Sequence, residues 1–233
     1  MTGSMGNVIR YDIDIVVCVS LSKSMATHLD GVKEIVLRLV REIPIAIIKS
    51  NVQREVRQRA RVVTFGDLGV NPEALQATDF FDVSPSADQS KFNEFLSIMS
   101  ASGNSSQRQS ALEALSVSVR SDWTHEGDRQ RHIIVMFTDS GAHKLESRVG
   151  EVPSAFRDQV PASLDELTDR WHGNQAVRLK KSARRLLIFG PDAYPWNVIC
   201  DAWGQTVLLP SPAGKGLEEV EFQTMVNTVR LAI

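Results

Sequence analysis

The sequence is poor in cysteine and has no long apolar run, and both deficits bear on where the protein functions. Its 233 residues include two cysteines, Cys18 and Cys200, each among apolar neighbours. So few cysteines exclude a disulfide framework and predict two reduced thiols in a cytoplasmic protein. No apolar stretch approaches the ~18 residues that a membrane-spanning helix needs, and residues 1–7 do not form a signal-peptide pattern. We therefore expect no membrane partner.

The chain also has no strong excess of charge of either sign. It contains 26 lysines and arginines and 28 aspartates and glutamates, which give a net charge of −2. Two local basic segments, residues 54–61 and 178–185, are interpreted as a charged strand end and a solvated loop, with docking of an acidic partner as the alternative. Because no aromatic residues alternate with these cations, nucleic acid is not expected as a partner.

Motifs that would indicate an enzyme are missing as well. The sequence contains no G-x-G-x-x-G dinucleotide motif, no G-x-x-x-x-G-K-S/T phosphate loop and no G-x-S-x-G nucleophile elbow. The five histidines have no spacing typical of metal ligands. Asp12 and Asp14 are similar to a phosphatase aspartate pair, but they lie before or within an apolar run instead of after it. We expect a protein without catalytic activity, with a Rossmann-like enzyme as the less favoured alternative.

What the sequence does contain is a regular alternation of apolar runs and amphipathic segments. Predicted strands cover residues 13–19, 56–65, 77–83, 133–137, 186–189 and 206–209. Predicted helices start near residues 28–30 (ending before Pro44) and near residues 85–88, and further helices cover residues 111–119, 164–171, 194–202 and 217–231. This alternation predicts an α/β, Rossmann-like, doubly wound fold, in which helices cover both faces of a mostly parallel sheet. One domain is expected over residues 8–233, after a disordered terminus or tag remnant at residues 1–7.

Hydroxyl groups follow the first predicted strand at the point where it ends. Ser20, Ser22 and Ser24 occur at every second position after a run dominated by β-branched residues, and Asp139 follows the strand at residues 133–137. Because the carboxyl ends of parallel strands share the edge at which such sheets bind ligands, we expect these side chains to converge. We call these four residues the serine edge. Taken singly, the serines are also typical of helix N-caps and Asp139 of a turn.

In combination these stretches resemble a von Willebrand factor type A domain of the bacterial intracellular type. Domains of this family bind Mg²⁺ at a metal-ion-dependent adhesion site (MIDAS), through an Asp-x-Ser-x-Ser motif, a loop threonine before a helix and an aspartate after the fourth strand. The resemblance places the corresponding positions at Ser20, Ser22, Ser24, Ser105 (with Ser106 as the alternative) and Asp139. It extends over nearly the whole chain and implies the same α/β fold.

The departure at Ser20 weakens the metal site that the resemblance implies. Ser20 stands where the family has an aspartate, so Asp139 is the one carboxylate among the five positions. Mg²⁺ is a hard cation that proteins hold through carboxylates and retained waters. We therefore predict a degenerate MIDAS at which Mg²⁺ binds weakly or not at all without a partner. Asp67 is a candidate for a compensating carboxylate, and His143 is a minor candidate for lining the same edge.

The resemblance implies a non-catalytic protein–protein interaction module. The expected partner is another protein that presents an acidic residue to the serine edge. The expected role is that of a scaffold or regulatory subunit in an intracellular complex, which is an inference by analogy. The alternative is a structural subunit that makes contact through the Pro-bounded insertion at residues 152–160 or through the basic segments.

Overall fold

The strands assemble into one main sheet whose central members are parallel. The computed structural model describes residues 8–48, 54–101, 108–173 and 178–210. In chain order, its strands are β1 (Ile9–Ser20), β2 (Arg54–Phe65), β3 (Gln76–Ala77), β4 (Phe81–Asp82), β5 (Arg108–Gln109), β6 (Arg129–Phe137), β7 (Gly141–Ala142), β8 (Arg184–Gly190) and β9 (Thr206–Pro210). The order is β3-β2-β1-β6-β8-β9, and β4 pairs with a different part of β2 from β3. Strands β3 and β4 are antiparallel to β2, and the other neighbouring strands of the sheet are parallel. The short strands β5 and β7 form a separate parallel pair.

Helices cover both faces of this sheet. They are α1 (Leu29–Ile48), α2 (Ser90–Ile98), α3 (Ala111–Val119), α4 (Leu164–His172) and α5 (Trp196–Ala202). Val17 and Val19 of β1 share a core with α1 and α2, whereas Val16 and Cys18 share a core with α3, α4 and α5. Because consecutive residues of β1 enter two different cores, its sequence is apolar without alternation. The predicted doubly wound α/β fold is confirmed, and it is consistent with a von Willebrand factor type A fold.

The first helix continues through Pro44, which corrects the prediction that it ends before this residue. Proline has no N–H group to donate to the carbonyl four residues earlier, here that of Val40. In the structure, Gln58 of β2 replaces the missing donor, because its Nε2 donates to the Val40 carbonyl oxygen at 3.1 Å. Gln58 is fully buried between the helix and the sheet. The helix therefore extends to Ile48 with its free carbonyl satisfied from another element.

Two strand predictions differ from the structure because strand pairing overrides composition. The polar composition of residues 123–131 predicts a loop, yet β6 begins at Arg129, which pairs with Tyr11 of β1. The strand predicted at residues 77–83 is divided into β3 and β4, which pair with β2 at different places. Among the described helices, α1 to α5, none has the length and apolar content needed to cross a membrane. Residues 1–7 and the helix predicted at residues 217–231 lie outside the described residues.

Candidate functional site

Strands β2, β1 and β6 end side by side at the carboxyl edge of the sheet. The register pairs Ser20 of β1 with Phe65 of β2, and Val19 of β1 with Phe137 of β6. The segment that follows Ser20 and the segment that contains Asp139 therefore leave adjacent strands at the same edge. This common exit is a direct consequence of the parallel pairing.

A chain of short contacts joins the residues of the serine edge. The backbone N–H of Ser22 donates to Ser20 Oγ at 3.3 Å, and Ser22 Oγ donates to Asp139 Oδ1 at 3.3 Å. The hydroxyls of Ser22 and Ser24 are 3.1 Å apart. Ser24 lies inside a short 3-10 turn, Lys23–Thr27, that precedes α1, so its hydroxyl contacts Ser22 and does not cap that helix.

These oxygens have the separations expected of neighbouring Mg²⁺ ligands. An octahedral Mg²⁺ binds oxygen at about 2.1 Å, so adjacent ligands lie about 3 Å apart. The measured separations of 3.1 Å between Ser22 and Ser24, and of 3.3 Å between Ser22 and Asp139, match this edge length. The second carboxylate oxygen of Asp139, Oδ2, is buried and has no hydrogen-bond partner among the described residues. These two separations, which are also ordinary hydrogen-bond lengths, are compatible with neighbouring ligands of one magnesium ion.

The charge of the same donor set is low for a dication. Ser20 is fully buried and contributes a hydroxyl, whereas Asp139 contributes the carboxylate. Within the described ranges, no group of three or more His, Cys, Asp or Glu side chains is arranged to hold a metal ion. Ser105 and Ser106, which the resemblance assigns to the threonine position, lie outside the described residues. Among the described residues of the serine edge, Asp139 is therefore the one carboxylate that could face a cation.

Asp67 and His143 contact each other instead of Asp139. Asp67 Oδ2 is 3.4 Å from His143 Nε2, and Asp67 Oδ1 is 3.6 Å from a guanidinium nitrogen of Arg148. Arg148 also pairs with Glu151 at 2.6 Å. A carboxylate that already faces a guanidinium has little charge to offer a metal ion. These contacts give Asp67 partners of its own, and its role as a compensating carboxylate stays a prediction.

Glu113 is a buried carboxyl group near this edge that sequence reasoning misses. It lies on α3 with no exposed surface, and neither of its carboxylate oxygens has a hydrogen-bond partner among the described residues. Burial raises the pKa of Glu113 to about 7, with Asp67 and Glu151 acting in the same direction and the charge of Arg148 acting against them. The available signal was the composition of α3, ALEALSVSV, which has no polar face and so indicates a helix buried on all sides.

The two basic segments contact the protein itself. Arg184 is 3% exposed, and its guanidinium lies 4.9 Å from the ring centre of Trp171 and donates to the Trp171 carbonyl. Arg59 makes two hydrogen bonds of 2.8 Å to the carboxylate of Asp14. Lys180 Nζ donates to Gln130 Oε1 of β6 at 2.6 Å. The sequence interpretation of solvated cations is therefore wrong for Arg184, which holds β8 against α4.

No model of a known protein family matches the chain, and no curated protein sequence matches it either. Among solved structures, the chain is similar to the pilus adhesin SpaC from Lactobacillus rhamnosus GG, with a TM-score of 0.56 and 9% identity. The open conformation of the same adhesin matches with a TM-score of 0.53 and 10% identity. Proximal thread matrix protein 1 from the mussel byssus, with a zinc-occupied MIDAS motif, matches with a TM-score of 0.49 and 12% identity. This match covers 97% of this chain and 48% of the mussel protein.

The extent of these matches defines what they show. Each adhesin match covers 97% of this chain and 31% of the adhesin, so the chain spans about a third of the adhesin's length. At these identities the similarity shows a shared fold, because one fold serves many functions and function depends on the site.

Proposed function

We propose that this chain is a non-catalytic protein-interaction module of the von Willebrand factor type A kind. In this proposal, the serine edge binds an acidic side chain of a partner protein. The observation that carries it is the contact of Ser22 with both Ser24 and Asp139, at 3.1 and 3.3 Å, where the central strands end. Open α/β sheets bind their ligands at this edge. The similarity in fold to a pilus adhesin agrees with an interaction role.

The proposal includes a cation because Asp139 of the serine edge is negatively charged and would repel the partner's carboxylate. Mg²⁺ would be held by Ser20, Ser22, Ser24 and Asp139 together with Ser105 or its alternative Ser106, the positions that the resemblance assigns. The ion would supply a positive charge between Asp139 and the partner's carboxylate. Since one carboxylate holds the ion weakly, the ion and the acidic partner each strengthen the binding of the other, as linkage requires.

The wider role that we propose is a scaffold or regulatory subunit in a cytoplasmic complex. Both cysteines are free thiols, Cys18 buried and Cys200 half-buried, as expected in a reducing compartment. Docking through the basic segment at residues 178–185 is less well supported, because Arg184 is buried against Trp171. Asp14, one half of the aspartate pair that is similar to phosphatases, is buried against Arg59, which favours a non-catalytic role.

The metal part of the proposal is tested by thermal melts in EDTA, Mg²⁺ and Mn²⁺. Ser20→Asp restores the second carboxylate, so Mg²⁺ should raise the melting temperature of this variant more than that of the native chain. A ligand at 100 times its dissociation constant stabilises the folded state by about 2.7 kcal/mol. Ser182→Asp adds the same charge at an exposed serine in the loop before β8 and serves as the control. An identical response of Ser20→Asp and Ser182→Asp would contradict the assignment of the site.

The partner part is tested by selecting random peptides from a display library on the immobilised chain in Mg²⁺. We expect the selected peptides to be enriched in aspartate and glutamate, and we expect this enrichment to disappear in EDTA and with Asp139→Asn. Peptides without acidic enrichment on the native chain would overturn the proposed function. Acidic enrichment that persists with Asp139→Asn would place the binding surface elsewhere on the molecule.

A further inference from the structure

A shallow groove lies beside the serine edge, on the side of β2. It encloses a volume of about 300 Å³. Its apolar lining includes Leu21, Phe95, Ile98 and Met99, and its polar lining includes Asn71, Glu73 and Gln76. Phe95, Ile98 and Met99 come from the carboxyl end of α2 and the residue after it. The groove therefore lies between the end of a helix and the ends of two central strands.

Ile98 gives the groove an apolar surface in contact with solvent. It is the last residue of α2 and is 72% exposed, more than any other large apolar side chain in the described part of the chain. An isolated exposed isoleucine needs no explanation. Ile98 differs because it forms one wall of a concave surface whose floor, Met99 and Phe95, is buried or half-buried.

The groove and the serine edge form one continuous strip. Leu21 lines the groove and stands in the chain between Ser20 and Ser22. Its backbone N–H donates to the Phe65 carbonyl at 2.8 Å, which holds the start of the loop against β2. Ser22 is turned towards β6, where it donates to Asp139. Along the edge, the order is therefore an apolar groove at β2, hydroxyls at β1 and a carboxylate at β6.

We propose that this groove receives an apolar side chain of the same partner segment whose acidic residue reaches the serine edge. Neighbouring strands are about 4.8 Å apart, so the groove and the hydroxyls are separated by about one to two strand spacings, or 5–10 Å. In an extended peptide, residues two positions apart point the same way and lie about 6.8 Å apart. The partner motif is thus an aspartate or glutamate with Leu, Ile, Met or Phe two positions away. This inference rests on the proposed function and adds the partner's specificity to it.

The test compares peptide selections, in Mg²⁺, on the native chain, on Ile98→Ser and on Val198→Ser. Val198 is also β-branched, helical and exposed, at 45%, but it lies on α5 outside the groove, so it is the matched control. On the native chain and on Val198→Ser, we expect about tenfold enrichment of large apolar residues two positions from the acid, the factor given by partial burial of one such side chain. On Ile98→Ser, we expect this enrichment to disappear while the acidic preference remains.

The outcomes separate this inference from the proposed function. Acidic peptides with no positional apolar preference, or with one that survives Ile98→Ser, would overturn the groove assignment and leave the proposed function standing. Selection without acidic enrichment would overturn both.

Melting curves and sedimentation of Ile98→Ser test two other occupants of the groove. A melting temperature lowered by several degrees would show that the chain itself covers it, and a native dimer lost in Ile98→Ser would show that a second copy does. Either result overturns the inference.

Discussion

Replacing the buried Glu113 by glutamine should change how the stability of the protein depends on pH. Burial raises the pKa of Glu113 from 4.5 to about 7 in the folded protein. Between these two pH values the folded state holds a proton that the unfolded state releases. The stability that this proton confers is complete below pH 4.5 and is lost as pH rises to 7, at about 1.4 kcal/mol per pH unit or about 3 kcal/mol in total.

A second buried group opposes this trend in the native chain. His132 stacks on Trp123 with ring centres 5.0 Å apart, its Nδ1 accepts from the Lys180 N–H at 3.2 Å, and its Nε2 is 2.8 Å from the Thr124 carbonyl. These contacts suit the neutral ring that is protonated at Nε2. Burial lowers the pKa of His132 from 6.5 to about 4, so stability falls as pH falls through this window. Between pH 4.5 and 6.5, the changes of stability with pH that Glu113 and His132 cause have opposite signs and nearly cancel.

The assay is urea denaturation at several pH values from 4.5 to 7.5. Glu113→Gln keeps the shape of the side chain and takes up no proton. The rise of stability with pH that His132 causes is therefore no longer offset in this variant. We expect the free energy of unfolding of this variant, relative to the native chain, to rise by about 3 kcal/mol from pH 4.5 to 7. Glu94→Gln, at an exposed position of α2, should show no such change. A difference between Glu113→Gln and the native chain that is constant with pH would refute the reasoning.

Two further predictions concern buried polar contacts. Gln58→Leu removes the donor to the Val40 carbonyl and should cost about 1–3 kcal/mol. That loss should shrink when Pro44→Ala returns the helical N–H, and an additive double-mutant cycle in urea would contradict this. Arg59→Met should cost about 3–5 kcal/mol, because it leaves the Asp14 carboxylate buried without its guanidinium. Asp14→Asn should cost less, since the Arg59 side chain is 33% exposed and can turn to water; equal losses in urea denaturation would argue against this.

The parts of the fold that sequence reasoning predicts well depend on local signals. Helix α4 is an example, because Ser163 followed by Glu166 predicts its start. In the structure, Ser163 Oγ accepts from the Glu166 N–H at 3.2 Å, and the helix runs from Leu164 to His172. It ends at Gly173, whose φ of 80° is a left-handed conformation that glycine adopts without strain. The serine edge is predictable for a similar reason, since the ends of buried strands are visible in the sequence.

The parts that the sequence does not predict depend on contacts between distant elements. Where the helix passes Pro44, Gln58 of another element donates to the free carbonyl, and no local pattern contains that information. Arg184 belongs to a basic run, yet its burial depends on the position of Trp171. The composition of α3 indicates a buried helix, but the charges that act on Glu113, those of Arg148, Glu151 and Asp67, come from other parts of the chain. In each case, the chemistry of a residue is set by a partner that the chain brings to it from far away.

Strand β1 separates its carboxylates from its hydroxyls, and this separation explains why Ser20 matters. In the first half of the strand, Asp14 is paired with Arg59, so its charge is cancelled inside the fold. At the carboxyl end, the edge offers hydroxyls and the charge of Asp139, whose Oδ2 has no partner among the described residues. A second carboxylate at position 20 would hold a cation firmly but would repel an acidic partner whenever the cation is missing. With Ser20, the edge attracts the cation less and opposes the partner less. Under the proposed function, Ser20 would therefore favour joint binding of cation and partner over binding of the cation alone.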